Sequence, residues 1–176
     1  GDVEAAIGGG GNITINGGRV TADGGYGGGA GIGGGYGGSG GTITISGGTV
    51  AATGGSEGGA GDGAGIGGGE RGDGGEITIS GGTVTATSGR NGAGIGGFDV
   101  TFTADGNAFI IASSISGNGD TTGWSGVIFQ GNDGRVYYGP IDLDTDATIP
   151  AGKKLVIESG QTLAIGKGVM LTNDGT

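Results

Sequence analysis

The sequence contains neither cysteine nor histidine, and it has only 2 prolines. Without cysteine, the chain cannot form a disulfide scaffold, use a thiol nucleophile or bind zinc through thiolates. The scarcity of proline excludes a collagen triple helix, although 55 of the 176 residues are glycine. No apolar run reaches the length of about 18 residues that a membrane-spanning helix needs, so we expect no membrane insertion.

Basic residues are also scarce. The chain has 7 lysines and arginines against 17 aspartates and glutamates, for a net charge of −10. Binding to phosphate backbones needs a basic face, so nucleic acid is not an expected partner. We predict no organic cofactor.

Three related segments repeat along the chain: "NITINGGRVTAD" at 12–23, "TITISGGTVAAT" at 42–53 and "EITISGGTVTAT" at 76–87. Each is followed by a glycine-rich corner around one isoleucine: "GAGIGGG" at 29–35 and 63–69, and "GAGIGGF" at 92–98. Alternation of isoleucine with threonine predicts strands, and the Gly-Gly pairs predict tight turns. Fixed motifs at irregular spacing indicate structural strands joined by loops of variable length.

A repeat of this kind cannot bury its apolar face alone, but stacked repeats can. The alignment predicts four buried columns, namely Ile13/Ile43/Ile77, Ile15/Ile45/Ile79, Val20/Val50/Val84 and Ile32/Ile66/Ile95. We therefore predict an all-β chain folded as a parallel β-helix of roughly six coils, about 4.8 Å apart.

The expected organisation is one continuous solenoid. Residues 1–97 form the glycine-rich coils, 98–147 form less regular coils with a protruding loop at "SGNGDTTGWSG", and 148–176 contain three eight-residue units that predict one triangular coil. Gly1 does not look like a native start and "LTNDGT" stops within the pattern, so we expect a segment of a longer array.

The corner motifs, the "TITISGGTVTAT" repeats, "WSGVIFQGNDGRVYYG" and "TIPAGKKLVIESGQTL" resemble glycine-rich repeat regions of large secreted or wall-attached proteins of gut Firmicutes and related bacteria. The resemblance covers nearly the whole chain and implies a right-handed β-helix located outside the cell. A weaker resemblance in architecture alone is to clostridial β-helix proteins that bind plant polysaccharides.

Three aromatic residues are candidates for contact with sugars. Tyr26 and Tyr36 lie in glycine loops on either side of the first "GAGIGGG" corner, and Trp124 lies in the predicted "TTGWSG" loop. Exposed rings among small polar groups suit the apolar C–H faces of sugar rings. The alternative is that these rings cap a glycine surface or pack on a neighbouring coil.

Three acids are candidates for calcium. "IDLDTD" would place Asp142, Asp144 and Asp146 on one strand face, about 7 Å apart. Neighbouring carboxylates favour a hard cation such as calcium, although we prefer a solvated acidic edge.

Other sites have weaker support. Hydrolysis of a glycosidic bond needs two carboxylates facing one groove. The outward strand positions are instead mostly threonine and serine. Arg135 near Asp133 is the closest acid–base pair. A rank of Thr14, Thr44 and Thr78 suggests ice binding, but its neighbouring ranks are interrupted. The "RGD" tripeptide at 71–73 is most simply a coincidence in a loop rich in these residues.

The favoured function is a non-catalytic surface stalk or adhesin module of a larger bacterial protein. The alternatives are a carbohydrate-binding module for plant or host polysaccharide and, less favoured, a polysaccharide lyase-like enzyme. The expected partners are a glycan or a host surface protein. The apolar ends of a solenoid also favour end-to-end self-association.

Overall fold

The computed structural model describes residues 3–4, 7–8, 10–56, 62–117 and 121–175. The regular structure in these ranges consists of short β-strands. In chain order they are β1 (Val3–Glu4), β2 (Ile7–Gly8), β3 (Asn12–Ile15), β4 (Arg19–Asp23), β5 (Ile32–Gly33), β6 (Thr42–Ile45), β7 (Thr49–Thr53), β8 (Ile66–Gly67), β9 (Gly75–Ile79), β10 (Thr83–Thr87), β11 (Ile95–Gly96), β12 (Val100–Ala104), β13 (Phe109–Ala112), β14 (Gly126–Gln130), β15 (Asp133–Tyr137), β16 (Ile141–Leu143), β17 (Ala147–Ile149), β18 (Lys154–Val156), β19 (Leu163–Ile165) and β20 (Leu171–Asn173).

The strands stack into parallel sheets on three sides of a solenoid. Sheet A begins β1-β4-β7-β10-β13-β14, sheet B has the order β11-β8-β5-β2, and sheet C has the order β12-β9-β6-β3. All pairings within these sets are parallel. The parallel β-helix predicted from the repeats is therefore confirmed, whereas its right-handed sense stays a prediction.

The four predicted columns are present in register. Ile13 pairs with Ile43 and Ile43 with Ile77, and the same succession holds for the Ile15, Val20 and Ile32 columns. Their members form one hydrophobic core, in which Ile13 is partly buried and the others are buried. The Ile32 column confirms the structural role of the lone corner isoleucines, which close the third side of this core.

Glycine at the corners is required by the close approach of successive coils. A Cβ atom on Gly33 would lie 1.9 Å from the carbonyl oxygen of Gly67, and one on Gly67 would lie 2.1 Å from that of Gly96. Both residues also have positive φ angles, +130° and +131°, which disfavour any side chain. The coils are joined at this point by backbone hydrogen bonds, Gly34 N to Gly67 O and Gly68 N to Gly96 O, each 2.8 Å.

The C-terminal region differs from the single continuous solenoid that we expected. β14 and β15 pair antiparallel, so the chain reverses direction. Residues from both sides of this turn form a second hydrophobic core, listed by its buried members as Phe109, Val127, Phe129, Val136, Ile141, Leu143, Ala147 and Ile149. This core lies against the outer face of sheet A, so β13 and β14 are buried on both faces and are apolar on both.

The strands of the eight-residue units stack on the strands that precede them. β18, β19 and β20 pair in parallel with β15, β16 and β17, respectively. Leu155, Leu163 and Leu171 share a phase of the repeat and pack on the second core. The isoleucine phase does not all enter the core, because Ile149 is buried while Ile157 and Ile165 are exposed.

The corner geometry predicts a large difference between two glycine-to-alanine substitutions. Gly67→Ala should lower the free energy of unfolding by at least about 2 kcal/mol, because it combines a positive φ with a backbone clash. Gly35→Ala should change it by less than about 0.5 kcal/mol, because a Cβ there meets nothing within 4 Å. Urea denaturation of both variants measures the difference. Equal losses would contradict the packing described for the corner.

Candidate functional site

A cavity of about 480 Å³ lies beside the short strands of sheet B. The segments before and after β8, the segments before and after β11, and Ser116 enclose it. Its lining residues are Asp62, Ala64, Gly68, Gly69, Glu70, Arg71, Gly72, Asn91, Gly92, Ala93, Gly97, Phe98 and Ser116. The cavity is thus assembled from successive coils.

The walls carry few side chains because the backbone is packed too closely for more. A Cβ on Gly69 would lie 2.0 Å from the carbonyl oxygen of Gly35, and one on Gly72 would lie 2.0 Å from that of Gly38. Glu70 and Arg71, which stand between these two glycines, therefore provide the functional groups of this wall.

Glu70 is the one buried charged residue in the described part of the chain, with 8% of its surface exposed. Its Oε1 lies 3.7 Å from Nε of Arg71, and its Oε2 is buried without a hydrogen-bond partner. A buried carboxylate oxygen without a donor is costly, so Glu70 is a group that a bound ligand could stabilise.

The segments preceding β8 and β11 are held together by a polar pair. The backbone N and the side-chain Nδ2 of Asn91 each donate to Oδ1 of Asp62 at 3.1 Å. These two contacts link successive coils across 29 residues of sequence and fix the position of the Asp62 carboxylate. The part of the cavity lined by Asp62 and Asn91 is therefore also polar.

Aromatic rings lie at the cavity and next to it. Phe98 lines the cavity with 79% of its surface exposed. Tyr36, 58% exposed, lies beside the wall, since the guanidinium carbon of Arg71 is 6.0 Å from its ring centroid. Tyr26 is 83% exposed in the turn after β4, but it does not line the cavity. Of these three rings, Phe98 lines the cavity and Tyr36 lies beside Arg71 of its wall.

Arg71 has a strained backbone. Its φ is +63°, and Tyr138, at +39°, is the other non-glycine residue with a positive φ in the described ranges. Elsewhere such angles are taken by glycine, as at Gly37, Gly41 and Gly75. Tyr138 also lines a cavity, of about 330 Å³, together with Arg135 and its ion-pair partner Glu158. Non-glycine residues in this region of φ are concentrated at functional sites.

The expected exposure of Trp124 is wrong. The residue is only 7% exposed, and its ring packs edge-on against Phe102 and Tyr137, with centroid distances of 4.9 and 5.7 Å. These contacts close the end of the first core, which gives the ring a structural role and removes it from the candidate sugar-binding residues. Residues 118–120 of the predicted protruding loop lie outside the described residues.

The expected arrangement of the three acids is also wrong. β16 ends at Leu143, so Asp142 lies on this strand but Asp144 and Asp146 lie beyond it. Oδ1 of Asp146 accepts a hydrogen bond of 2.8 Å from the backbone N of Met170. No group of three or more acidic side chains able to hold a metal ion occurs in the described ranges. The chain direction changes before the carboxylates can share a face.

Three other patterns in the sequence have simple outcomes. Arg135 pairs with Glu158 rather than with Asp133. Gly72 of the "RGD" tripeptide is buried between coils, so the tripeptide does not form an isolated projection. The threonine rank continues through Thr14, Thr44, Thr78 and Thr103, but the adjacent column is interrupted by Glu76.

A signal for Glu70 and Phe98 was present in the sequence. The first residue that is not glycine after each corner isoleucine is Tyr36, Glu70 or Phe98 in successive coils. Where backbone packing excludes side chains from the corner, these positions are the first that can carry chemistry. The backbone places Tyr36 level with Glu70, since Gly37 N donates to Glu70 O at 2.8 Å, and it places Phe98 level with Asp73, since Phe98 N donates to Gly72 O at 3.1 Å.

The fold defines the chain as a parallel β-helix, and the comparison with family models agrees with it. A family model described as a β-helix repeat matches residues 13–36, 43–70 and 77–97, which include Tyr36 and Glu70. No curated protein and no solved structure matches the chain. Among the described residues there is no helix of the length and hydropathy required to cross a membrane.

Removal of the Trp124 ring should destabilise the fold. Trp124→Ala should lower the free energy of unfolding by about 3–5 kcal/mol, because the substitution leaves a large void at the end of the core. Phe98→Ala is the matched control and should change it by less than about 0.5 kcal/mol, since that ring is exposed. Denaturant unfolding followed by circular dichroism would measure both. A neutral Trp124→Ala would show that the ring does not close the core.

Backbone strain at Arg71 can be separated from its side-chain contacts. Arg71→Ala removes the contacts with Glu70 and Tyr36 but retains the strain, whereas Arg71→Gly removes both. We expect the glycine variant to be more stable than the alanine variant by about 1 kcal/mol. Thermal and urea unfolding would test the order, and an alanine variant as stable as the glycine variant would argue against strain.

Proposed function

We propose that this chain is a non-catalytic binding module of an extracellular surface protein and that it takes carbohydrate in the cavity beside sheet B. The observation that carries the proposal is that Glu70, a buried carboxylate, and Phe98, an exposed ring, line one cavity, with the ring of Tyr36 beside Arg71 of its wall. The β-helix serves as the rigid stalk and also carries the binding site, so one domain has both roles.

The chemistry of the cavity suits a polyhydroxylated ligand. Aromatic rings pack on the apolar C–H faces of a sugar, while carboxylates and amides accept or donate hydrogen bonds to its hydroxyl groups. Phe98 and Tyr36 provide the rings, and Glu70, Asp62 and Asn91 provide polar groups at or beside the cavity. Because the strands fix these positions, binding would require little ordering of the protein.

A binding role is favoured over glycoside hydrolysis by how the carboxylates are engaged. Hydrolysis needs one carboxyl group to donate a proton and another to act as base or nucleophile. Asp62 is held by two hydrogen bonds from Asn91, and Glu70 lies beside the guanidinium of Arg71. Asp62 thus makes a structural contact between coils, so it is not free to act as the second carboxyl group that hydrolysis requires.

The test is a glycan array followed by titration calorimetry of the best oligosaccharide. Phe98→Ala should weaken binding about tenfold, since a stacked ring contributes on the order of 1 kcal/mol or more. Tyr36→Ala should weaken it by a smaller factor. Tyr26→Ala is the matched control, because Tyr26 is exposed but lies outside the cavity, and it should leave the affinity unchanged.

Three results would contradict the proposal. Absence of binding to any glycan would remove the carbohydrate ligand. An equal loss in Tyr26→Ala and Phe98→Ala would place the binding surface elsewhere. Release of shorter sugars from the bound oligosaccharide, detected by chromatography, would show an enzyme rather than a binding module.

A further inference from the structure

The charges at the cavity do not balance. Its lining includes the carboxylates of Asp62 and Glu70 and the single guanidinium of Arg71. Arg71 is largely exposed and approaches Glu70 through Nε at 3.7 Å, which is beyond hydrogen-bonding distance. Among the described residues, the ionic neighbour of the buried Glu70 carboxylate is thus the exposed guanidinium of Arg71, which makes no hydrogen bond with it.

The two oxygens of Glu70 have different surroundings. Oε1 faces Arg71, whereas Oε2 is buried and has no hydrogen-bond partner. A neutral donor such as a hydroxyl group would satisfy the hydrogen bond but leave the negative charge uncompensated. A positively charged donor at this carboxylate would also compensate the charge, and a charge-assisted hydrogen bond is stronger than a neutral one.

We propose that Glu70 selects a ligand with a protonated primary amine, so that the carbohydrate bound at this cavity is an oligosaccharide of amino sugars whose amino groups are free. This inference rests on the proposed function. Phe98 and Tyr36 pack on the sugar rings, and the ammonium group pairs with the carboxylate of Glu70. An N-acetyl group on the same nitrogen removes the charge and adds bulk, so acetylated sugars bind more weakly.

A metal ion is a poorer occupant of the same place. Calcium takes six to eight oxygen ligands, and the described residues contain no cluster of three or more acidic side chains able to hold a metal ion. An ammonium group needs only a few acceptors, and a single carboxylate supplies the ionic one. The net charge of −10 for the chain also attracts a cationic ligand over a neutral one.

The experiment compares three tetrasaccharides of similar length by titration calorimetry at about 0.15 M salt, where long-range attraction is screened. The glucosamine tetramer carries free amines, the N-acetylglucosamine tetramer carries none, and cellotetraose has hydroxyl groups alone. We expect the glucosamine tetramer to bind at least about tenfold more tightly than the other two.

Two variants that each remove one negative charge test which carboxylate is responsible for the preference for the amine. Glu70→Gln should abolish the preference for the amine by weakening only the glucosamine tetramer, about tenfold, while the neutral sugars bind as before. Glu76→Gln removes one negative charge from the exposed outer face of sheet C and should preserve the preference. Circular dichroism of both variants should match the parent chain, which excludes loss of fold as the cause.

The outcomes separate this inference from the proposed function. Equal binding of the three sugars, still reduced by Phe98→Ala, would overturn the amine preference and leave the carbohydrate site. A preference that falls equally in Glu70→Gln and Glu76→Gln would overturn the role of Glu70. Tetralysine binding as tightly as the glucosamine tetramer would show that the site takes amines without sugar recognition. Absence of binding to every sugar tested here and on the array would overturn both proposals.

Discussion

The spacing between successive coils is the constraint on which the rest of this structure depends. Hydrogen-bonded strands lie about 4.8 Å apart, and a three-sided solenoid must turn its chain sharply several times in each coil at that spacing. At the corners this leaves no room for a Cβ atom, as the 1.9 Å approach at Gly33 and the 2.1 Å approach at Gly67 show. The glycine content follows from this packing, and so does the single isoleucine that each corner can bury.

The same constraint concentrates chemistry at a few positions. Most outward strand positions carry threonine or serine, and the corner glycines contribute no side chain. Residues that follow a corner are therefore the first with space for larger groups, and Tyr36, Glu70 and Phe98 occupy them in consecutive coils. Arg71 adopts a positive φ, a conformation that glycine takes at most of the other described positions where it occurs.

The fold was predictable wherever residues repeat, since a column such as Ile43/Ile77 leaves a period in the sequence. Features that depend on contacts without a period were not. Trp124 follows "TTG", which is typical of an exposed turn, but Phe102 and Tyr137 meet its ring from distant parts of the chain. The second core had a local signal, because "FIIA" and "GVIFQ" are apolar on both faces, as expected of strands buried on both sides.

The placement of the cavity beside sheet B follows from how the coils accommodate extra residues. The corner isoleucines Ile7, Ile32, Ile66 and Ile95 pair in register although the chain between them differs in length. Strand register is fixed by the buried columns, so added residues must enter the segments on either side of β5, β8 and β11. Asp62, Glu70 and Asn91 all come from such segments. Meanwhile the outer face of sheet A at β13 and β14 is covered by the second core. Differences in loop length are therefore found beside sheet B, where no second core covers the solenoid. Residues of these loops can differ between coils without a change in the buried columns.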